Sequence, residues 1–289
     1  MKSSPFAYQR ISSLTAAVAV LAEHGDRAAV LAGGQSLLID LAYRNVRPEV
    51  VLDINGIPGL AEVRVGDGQA EITALVRHRQ LERTHVGDPL DRLLAAIAHH
   101  VAHPPIRARG TFAGSVAWAH PAAEWCALVT GLDGEIMVTG RSGERGIPAA
   151  EWFLGPHRTA ARPDELITEI RLPLLGAGTG FGFAEHRRTH GSFAMAAAFA
   201  TVHVANGRID RARIGLANAA DVPLRAHAAE RVLTGEEVSE PLLAEAADAA
   251  VSAADPVREP HCSPDYRRQV LRVLTHRSLR QAVAEVGAT

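Results

Sequence analysis

One feature limits what this chain can fold into more than any other. A short apolar run, Ala28 to Ala32, breaks at Gly33-Gly34 and resumes at Leu37–Tyr43 with helical spacing. That order reads as strand, tight turn, helix. A second glycine turn, Gly110-Thr111-Phe112-Ala113-Gly114-Ser115, leads into another helical stretch about 78 residues later. Glycine lets the backbone approach a ligand closely and turn its N–H groups inward. A helix N-terminus adds partial positive charge, and together these suit a phosphate or pyrophosphate. The hydroxyls of Ser36, Thr111 and Ser115 add donors without adding charge. Two such turns can hold the two phosphates of one dinucleotide, although either alone also reads as a plain connection.

The rest of the chain reads as α+β. A helix over 12–24 can be capped by Ser12 or Ser13 and is stopped by Gly25. Residues 49–54 read as a buried strand, and Gly66-Asp67-Gly68 as the turn of a hairpin. A helix over 91–102 is ended by Pro104-Pro105. Pro121 opens a helix through PAAEWCALVTGL, and strands follow at about 134–139 and 165–172. The glycine-rich stretch LLGAGTGFG at 174–182 is the expected domain boundary. Beyond it, strands at 195–205 and 208–217 are joined by Asn206-Gly207, a strong hairpin signal. Helices near 224–233, 240–254 and 264–286 complete the chain. The absence of a regular βαβ repeat points to mixed or antiparallel sheets.

Composition and charge exclude whole classes of function. Of 289 residues 47% are apolar and 21% charged, an ordinary globular balance. A net charge of −2 offers no basic excess for nucleic acid or anionic lipid. Thirty residues are Lys or Arg, and Lys2 is the single lysine. Two cysteines, Cys126 and Cys262, are too few for a disulfide framework or an iron–sulfur cluster. The N-terminus lacks a signal-peptide pattern and no apolar run is long enough for a transmembrane segment. A soluble protein of a reducing compartment is therefore expected.

No Walker, zincin or nucleophile-elbow motif is present. His99, His100 and His103 have the spacing HHxxH on the expected helix, but no third ligand or acid lies nearby. They read better as imidazoles meeting the last carbonyls of a helix. Ser36, Ser115 and Ser192 lack a recognisable base. GAGTG at 176–180 lacks a following helix pattern and reads as a linker.

Several stretches together resemble one family. FAYQRISSLTAAVAVLAEHG, LAGGQSLL at 31–38, VVLDINGIPGL at 50–60, ITALVRH at 72–78, IRARGTFAGSVAWAHPAAEW at 106–125, RRTHGSFAMA at 187–196 and DYRRQVLRVL at 265–274 occur in that family's order. The chain resembles the FAD-binding medium subunit of the molybdenum hydroxylases, the group of aerobic carbon monoxide dehydrogenase, quinoline oxidoreductase and xanthine dehydrogenase. The resemblance implies a vanillyl-alcohol-oxidase-like (PCMH-type) fold. Two α+β subdomains, about 1–55 and 56–175, would form an FAD-binding domain over 1–175. A C-terminal α+β domain with an antiparallel sheet would span 176–289.

The resemblance also implies residue roles. The backbone of Val30, Leu31, Ala32, Gly33, Gly34, Gln35, Ser36 and Leu37 would lie along the pyrophosphate and ribityl chain. Gly110, Thr111, Ala113, Gly114 and Ser115 would complete the cradle. Val101, Ala102 and Ile106 would pack around adenosine, and Ile167 would lie near the isoalloxazine. Glu124 would bond a ribose hydroxyl, or as a first-turn acid favour the helix dipole. A branched side chain at Gly34 should displace the cofactor by filling pyrophosphate space. Ala113 stands where the family usually has glycine, which is tolerable only if its φ is negative. His120 and Ser192 replace two customary aspartates.

The implied activity is electron transfer, with no catalytic acid or base and no metal on this chain. Electrons would come from two [2Fe-2S] clusters on a small subunit, and a large subunit would carry the molybdenum cofactor and the substrate. FAD would pass the electrons to an external acceptor. A cytoplasmic dimer of heterotrimers is expected. The alternatives are a free-standing FAD-dependent oxidase of the same fold, and a non-catalytic protein that has lost its flavin.

Overall fold

The computed structural model describes residues 2–286. The chain opens with β1 (Ala7–Arg10), α1 (Leu14–His24), β2 (Ala28–Leu31), α2 (Leu37–Tyr43) and β3 (Val50–Asp53). Ser13 caps α1 by accepting the Ala16 N–H at 3.2 Å. The three strands form a parallel sheet in the order β1-β3-β2, so both glycine-turn partners, β2 and α2, sit at one edge.

Next come β4 (Val63–Gly66), β5 (Gln69–Thr73), α3 (His78–Leu81), α4 (Leu90–His100), α5 (Pro104–Arg107), α6 (Phe112–Trp118) and α7 (Glu124–Gly131). They are followed by β6 (Glu135–Gly140), β7 (Gly143–Pro148), α8 (Ala149–Trp152), β8 (Phe153–Gly155), β9 (Arg158–Thr159) and β10 (Leu166–Pro173). An antiparallel sheet runs β4-β5-β10-β6-β7. β10 alternates strictly between buried and half-buried residues, as expected of a strand covered on one face. Trp125, Trp152, Phe112 and the leucines of α4 fill one core with both sheets.

The last part is β11 (Thr179–His186), β12 (Ala196–Ala205), β13 (Arg208–Ala217), β14 (Leu224–Arg225), α9 (His227–Leu233), α10 (Glu240–Ala250) and α11 (Pro264–Val286). Its four strands form an antiparallel sheet in chain order with a second alanine-rich core against the helices. Asn206 and Gly207 both have positive φ, 53° and 76°, the two-residue turn that the dipeptide signals.

Three sequence expectations are corrected. The helix expected to open at Pro121 begins at Glu124, because 121–123 form a turn. α4 stops at His100, so His99 and His103 do not share a helix face. The Nδ1 atoms of His99 and His100 instead bond the Ala95 and Ala96 carbonyls, at 2.6 and 2.9 Å. Third, the glycine-rich loop is shorter than 174–182, because β11 begins at Thr179. Gly180 and Gly182 are strand residues pressed against α11. A Cβ would lie 2.0 Å from the Ala282 carbonyl oxygen at the first and 2.1 Å from that of Ser278 at the second. These glycines serve helix–strand packing, which a local pattern does not distinguish from a flexible linker.

Candidate functional site

The two glycine turns touch. A Cβ on Gly33 would lie 2.4 Å from the Arg109 carbonyl oxygen and 2.7 Å from the Gly110 Cα, so only glycine lets the first loop rest on the second. Gly110 in turn sits against the His78 ring, 2.8 Å from where its own Cβ would be. His78 accepts the Trp125 indole N–H at 3.0 Å. Burial, aided by Arg107 and Arg77, pushes its pKa down to about 3, so it stays a neutral acceptor.

Two side chains lock this contact, and the sequence reading gave neither a role. Asn55 Nδ2 donates to the Ala32 carbonyl at 2.9 Å. Arg77 donates to the Arg109 carbonyl and to Asn55 Oδ1. One Asn–Arg pair thus ties the backbone of the first loop to that of the second. The signal lay in VVLDIN and ITALVRH, but only the fold shows that these segments meet.

The first loop turns its donors away from its own chain. Among the described residues, the backbone N–H groups of Gly33, Gly34, Gln35, Ser36 and Leu37 have no acceptor. The Ser36 hydroxyl is likewise unbonded, although Ser36 occupies the N-cap position of α2. Five successive N–H groups without an acceptor leave a run of backbone donors available to an anion. On the second loop the Thr111 and Ala113 N–H groups also lack acceptors. Thr111 Oγ1 accepts the Gly114 N–H at 3.0 Å and caps α6, which leaves its proton free to donate outward. Among the described residues the Ser115 hydroxyl makes no hydrogen bond. α2 and α6 have seven residues each, so the donors are mainly those of the loops. This donor set fits the pyrophosphate of FAD.

Gly34 has φ +75°. Its missing Cβ points at Leu31 and Leu38, each 3.1 Å away, and so into the protein. The need for glycine there is conformational, which corrects the expectation that a side chain would fill pyrophosphate space. Ala113 lies within α6 with ordinary helical φ and is buried, so it replaces glycine without strain.

The remaining expected residues flank the two loops, with Ile167 apart on β10. Val30 and Leu31 end β2. The Ile106 carbonyl accepts the Gly110 N–H at 2.7 Å, and Ala102 is left-handed at φ +46°. Val101 caps the end of α4. Arg107 holds the Val101 and Ala102 carbonyls, each at 3.2 Å, while paired with Glu82. Ile167 is half-buried on β10, opposite Val138 and one residue before the Thr168 carbonyl that accepts the Ala74 N–H.

Glu124 starts α7 and is buried. Burial pushes its pKa up to about 7, opposed by its own backbone N–H and by Arg187. Facing it from β11 is Glu185, whose carboxyl is fully buried with neither oxygen hydrogen-bonded. Burial first, then Glu124, raises the Glu185 pKa to about 8. Arg187 Nε lies 3.6 Å from Glu185, and its guanidinium donates to the His100 carbonyl at 2.7 Å. The C-terminal sheet is thereby fastened beside the 101–106 segment. His120, where the resemblance expects an aspartate, caps the turn that follows it. Its Nδ1 accepts the Ala122 N–H at 3.1 Å, and burial lowers its pKa to about 4, so it is neutral. Its ring stacks on Phe193 at 4.2 Å.

A paired-loop cradle for a dinucleotide, carried on a parallel and an antiparallel sheet and joined to a C-terminal antiparallel sheet, defines an FAD-binding flavoprotein. Comparison with known proteins agrees over the whole chain. Residues 4–175 match the FAD binding domain in molybdopterin dehydrogenase, and residues 181–282 match the CO dehydrogenase flavoprotein C-terminal domain. The chain is 38% identical to the 6-hydroxypseudooxynicotine dehydrogenase complex subunit alpha of Paenarthrobacter nicotinovorans, covering 100% of this chain and 98% of that one. It is 34% identical to the caffeine dehydrogenase subunit beta of a Pseudomonas species, over 99% and 97%. Its fold superposes on a chain of carbon monoxide dehydrogenase from Hydrogenophaga pseudoflava with a TM-score of 0.95, at 32% identity and 99% coverage of both. The chain belongs to the FAD-binding medium subunits of the molybdenum hydroxylases, as the sequence resemblance implied, and is an oxidoreductase subunit with FAD as cofactor.

Proposed function

We propose that this chain is the electron-transferring flavoprotein of a three-part molybdenum hydroxylase. Electrons reach it from [2Fe-2S] clusters on a small partner subunit and leave to an external acceptor, while a large molybdenum subunit hydroxylates the substrate. Bound FAD supplies the redox chemistry, accepting electrons singly and releasing them singly or in pairs. The observation that carries this reading is the contact of two loops that, among the described residues, leave the N–H groups of Gly33 to Leu37, Thr111 and Ala113 without an acceptor.

The protein's own residues bind and orient. The backbone of 33–37, with the Ser36 hydroxyl, holds one phosphate. The Thr111 and Ala113 N–H groups and the Thr111 and Ser115 hydroxyls hold the other. Asn55 and Arg77 fix the separation of the loops. Val101, Ala102 and Ile106 pack against adenosine, Glu124 bonds a ribose hydroxyl, and Ile167 lies near the isoalloxazine. Burial raises the Glu124 pKa to about 7, so in its protonated form, below that pH, the carboxyl can donate that bond as well as accept one.

Residues 1–175 form the FAD-binding domain, in two parts near 1–55 and 56–175, and 176–289 form the C-terminal domain. Among the described residues no helix is long and apolar enough to cross a membrane. The proposed setting is a cytoplasmic dimer of heterotrimers. The test is purification from the native host through a tag on this chain. FAD released by denaturation, together with iron and molybdenum in fixed ratio to it, is expected. FAD without either metal would overturn the reading in favour of a free-standing oxidase.

A further inference from the structure

The helix that follows the first loop is apolar on faces the chain leaves open. α2 reads LLIDLAY, with Asp40 its one polar residue. A helix apolar nearly all round is ordinarily buried. Here Leu41 alone is buried, while Leu38 is 52%, Ile39 55% and Tyr43 65% exposed, followed by Val46 at 39%. Ile39 and Tyr43 are four residues apart and share one face. Val65, Leu154 and Val238 are exposed singly along the chain, and the other exposed pair on one helix, Tyr266 and Val273, lies on α11 in the C-terminal part. Four within nine residues make a patch.

The edge of this patch is basic. Arg44 and Arg47 follow the helix, and the Arg44 guanidinium donates to the Lys2 carbonyl at 3.1 Å, which brings residue 2 alongside. Among the described residues none of these three cations pairs with a carboxylate. The one acid of the helix, Asp40, is bonded by Asn45 Nδ2 at 2.9 Å. An apolar centre with a basic rim selects a partner face that is apolar with acidic surroundings. The helix begins at Leu37, the last residue of the free N–H array, so the patch borders the cofactor cradle.

We propose that the exposed face of α2 is the docking surface for the iron–sulfur subunit. The proposal rests on the electron-transfer reading above. Electron transfer requires the partner to dock against the cofactor-binding surface, and α2 presents its exposed apolar face directly after the first loop of the cradle. Basic charge at the rim favours an acidic partner over a second copy of this chain, which would bring the same arginines against its own.

The experiment uses the complex purified from the native host through a tag on this chain. Ile39→Asp/Tyr43→Asp is compared with wild type and with Val65→Asp, an exposed apolar position on β4. FAD, iron and molybdenum per chain are measured. The double variant is expected to keep its FAD while iron per flavin falls about tenfold or more, and Val65→Asp should match wild type. Arg47→Glu, which leaves the helix intact, should lower the salt concentration at which iron is stripped from the complex. It keeps the test decisive if the double variant fails to fold. Unchanged iron in the double and Arg47→Glu variants would overturn the proposal. So would loss of molybdenum with iron retained, which would assign the face to the large subunit. An isolated wild-type chain that dimerises, and becomes monomeric in the double variant, would assign it to a second copy. A wild-type complex with FAD but no iron would instead refute the electron-transfer reading, and this proposal with it.

Discussion

Replacing Gly33 by alanine should separate the two loops that form the cradle. The added Cβ would stand 2.4 Å from the Arg109 carbonyl oxygen and 2.7 Å from the Gly110 Cα, both backbone atoms that no rotamer change can move. Relief to ordinary van der Waals contact needs the loops to part by roughly 1 Å, an overpacking strain of about 1–3 kcal/mol. The parting also strains the Asn55–Arg77 link, since each partner holds one of the loops. Donors on the two loops would then no longer match one pyrophosphate. The FAD dissociation constant should rise on the order of ten- to a hundredfold. The assay is fluorescence titration of FAD into flavin-free protein, with thermal unfolding alongside. Gly66→Ala serves as control, because its Cβ would meet only the Glu71 carboxylate, at 3.4 Å. Unchanged FAD affinity in Gly33→Ala would refute the reasoning, because the loop contact would not govern the cradle.

Three further outcomes follow from the same structure. Asn55→Ala should weaken FAD binding by roughly tenfold, about 1.4 kcal/mol, with secondary structure retained by circular dichroism; unchanged affinity would count against the link. Ala113→Gly, in the first turn of a buried helix, should lower stability by about 1 kcal/mol in denaturant unfolding and leave FAD affinity unimproved. The Glu124 and Glu185 pKa values are raised on folding, to about 7 and about 8, from an unfolded 4.5. Their stabilising contribution is therefore full below about pH 4.5 and is lost as pH rises towards 8. Glu185→Gln should flatten the fall in melting temperature between about pH 5 and 8, and a wild-type slope in that variant would contradict the assignment.

The two glycine turns were legible because they are local. A strand that ends in Gly33-Gly34 before helical spacing, and a Thr-x-x-Gly start at Thr111, declare their turns within a few residues. Asn206-Gly207 and the long helix 264–286 were legible for the same reason. What the sequence concealed depends on residues that meet only in space. Asn55 and Arg77 bridge loops they do not belong to. Gly180 and Gly182 read as a linker because α11, which excludes their side chains, lies about a hundred residues away. Pro121 suggested a helix start, but residues 121–123 turn first, and Glu124 begins the helix. The Glu124–Glu185 pairing joins α7 to a strand of the C-terminal sheet, so no local pattern could announce it.

The central claim is that this chain carries electrons and does not itself oxidise the substrate. The most direct measurement is anaerobic mixing of the FAD-loaded chain with the substrate of the complex, with and without the iron–sulfur and molybdenum subunits, following bleaching of the visible flavin absorption. The account predicts no bleaching with the isolated chain and full bleaching once both partners are present. Bleaching by the isolated chain at the rate of the complex would contradict it and establish a free-standing oxidase.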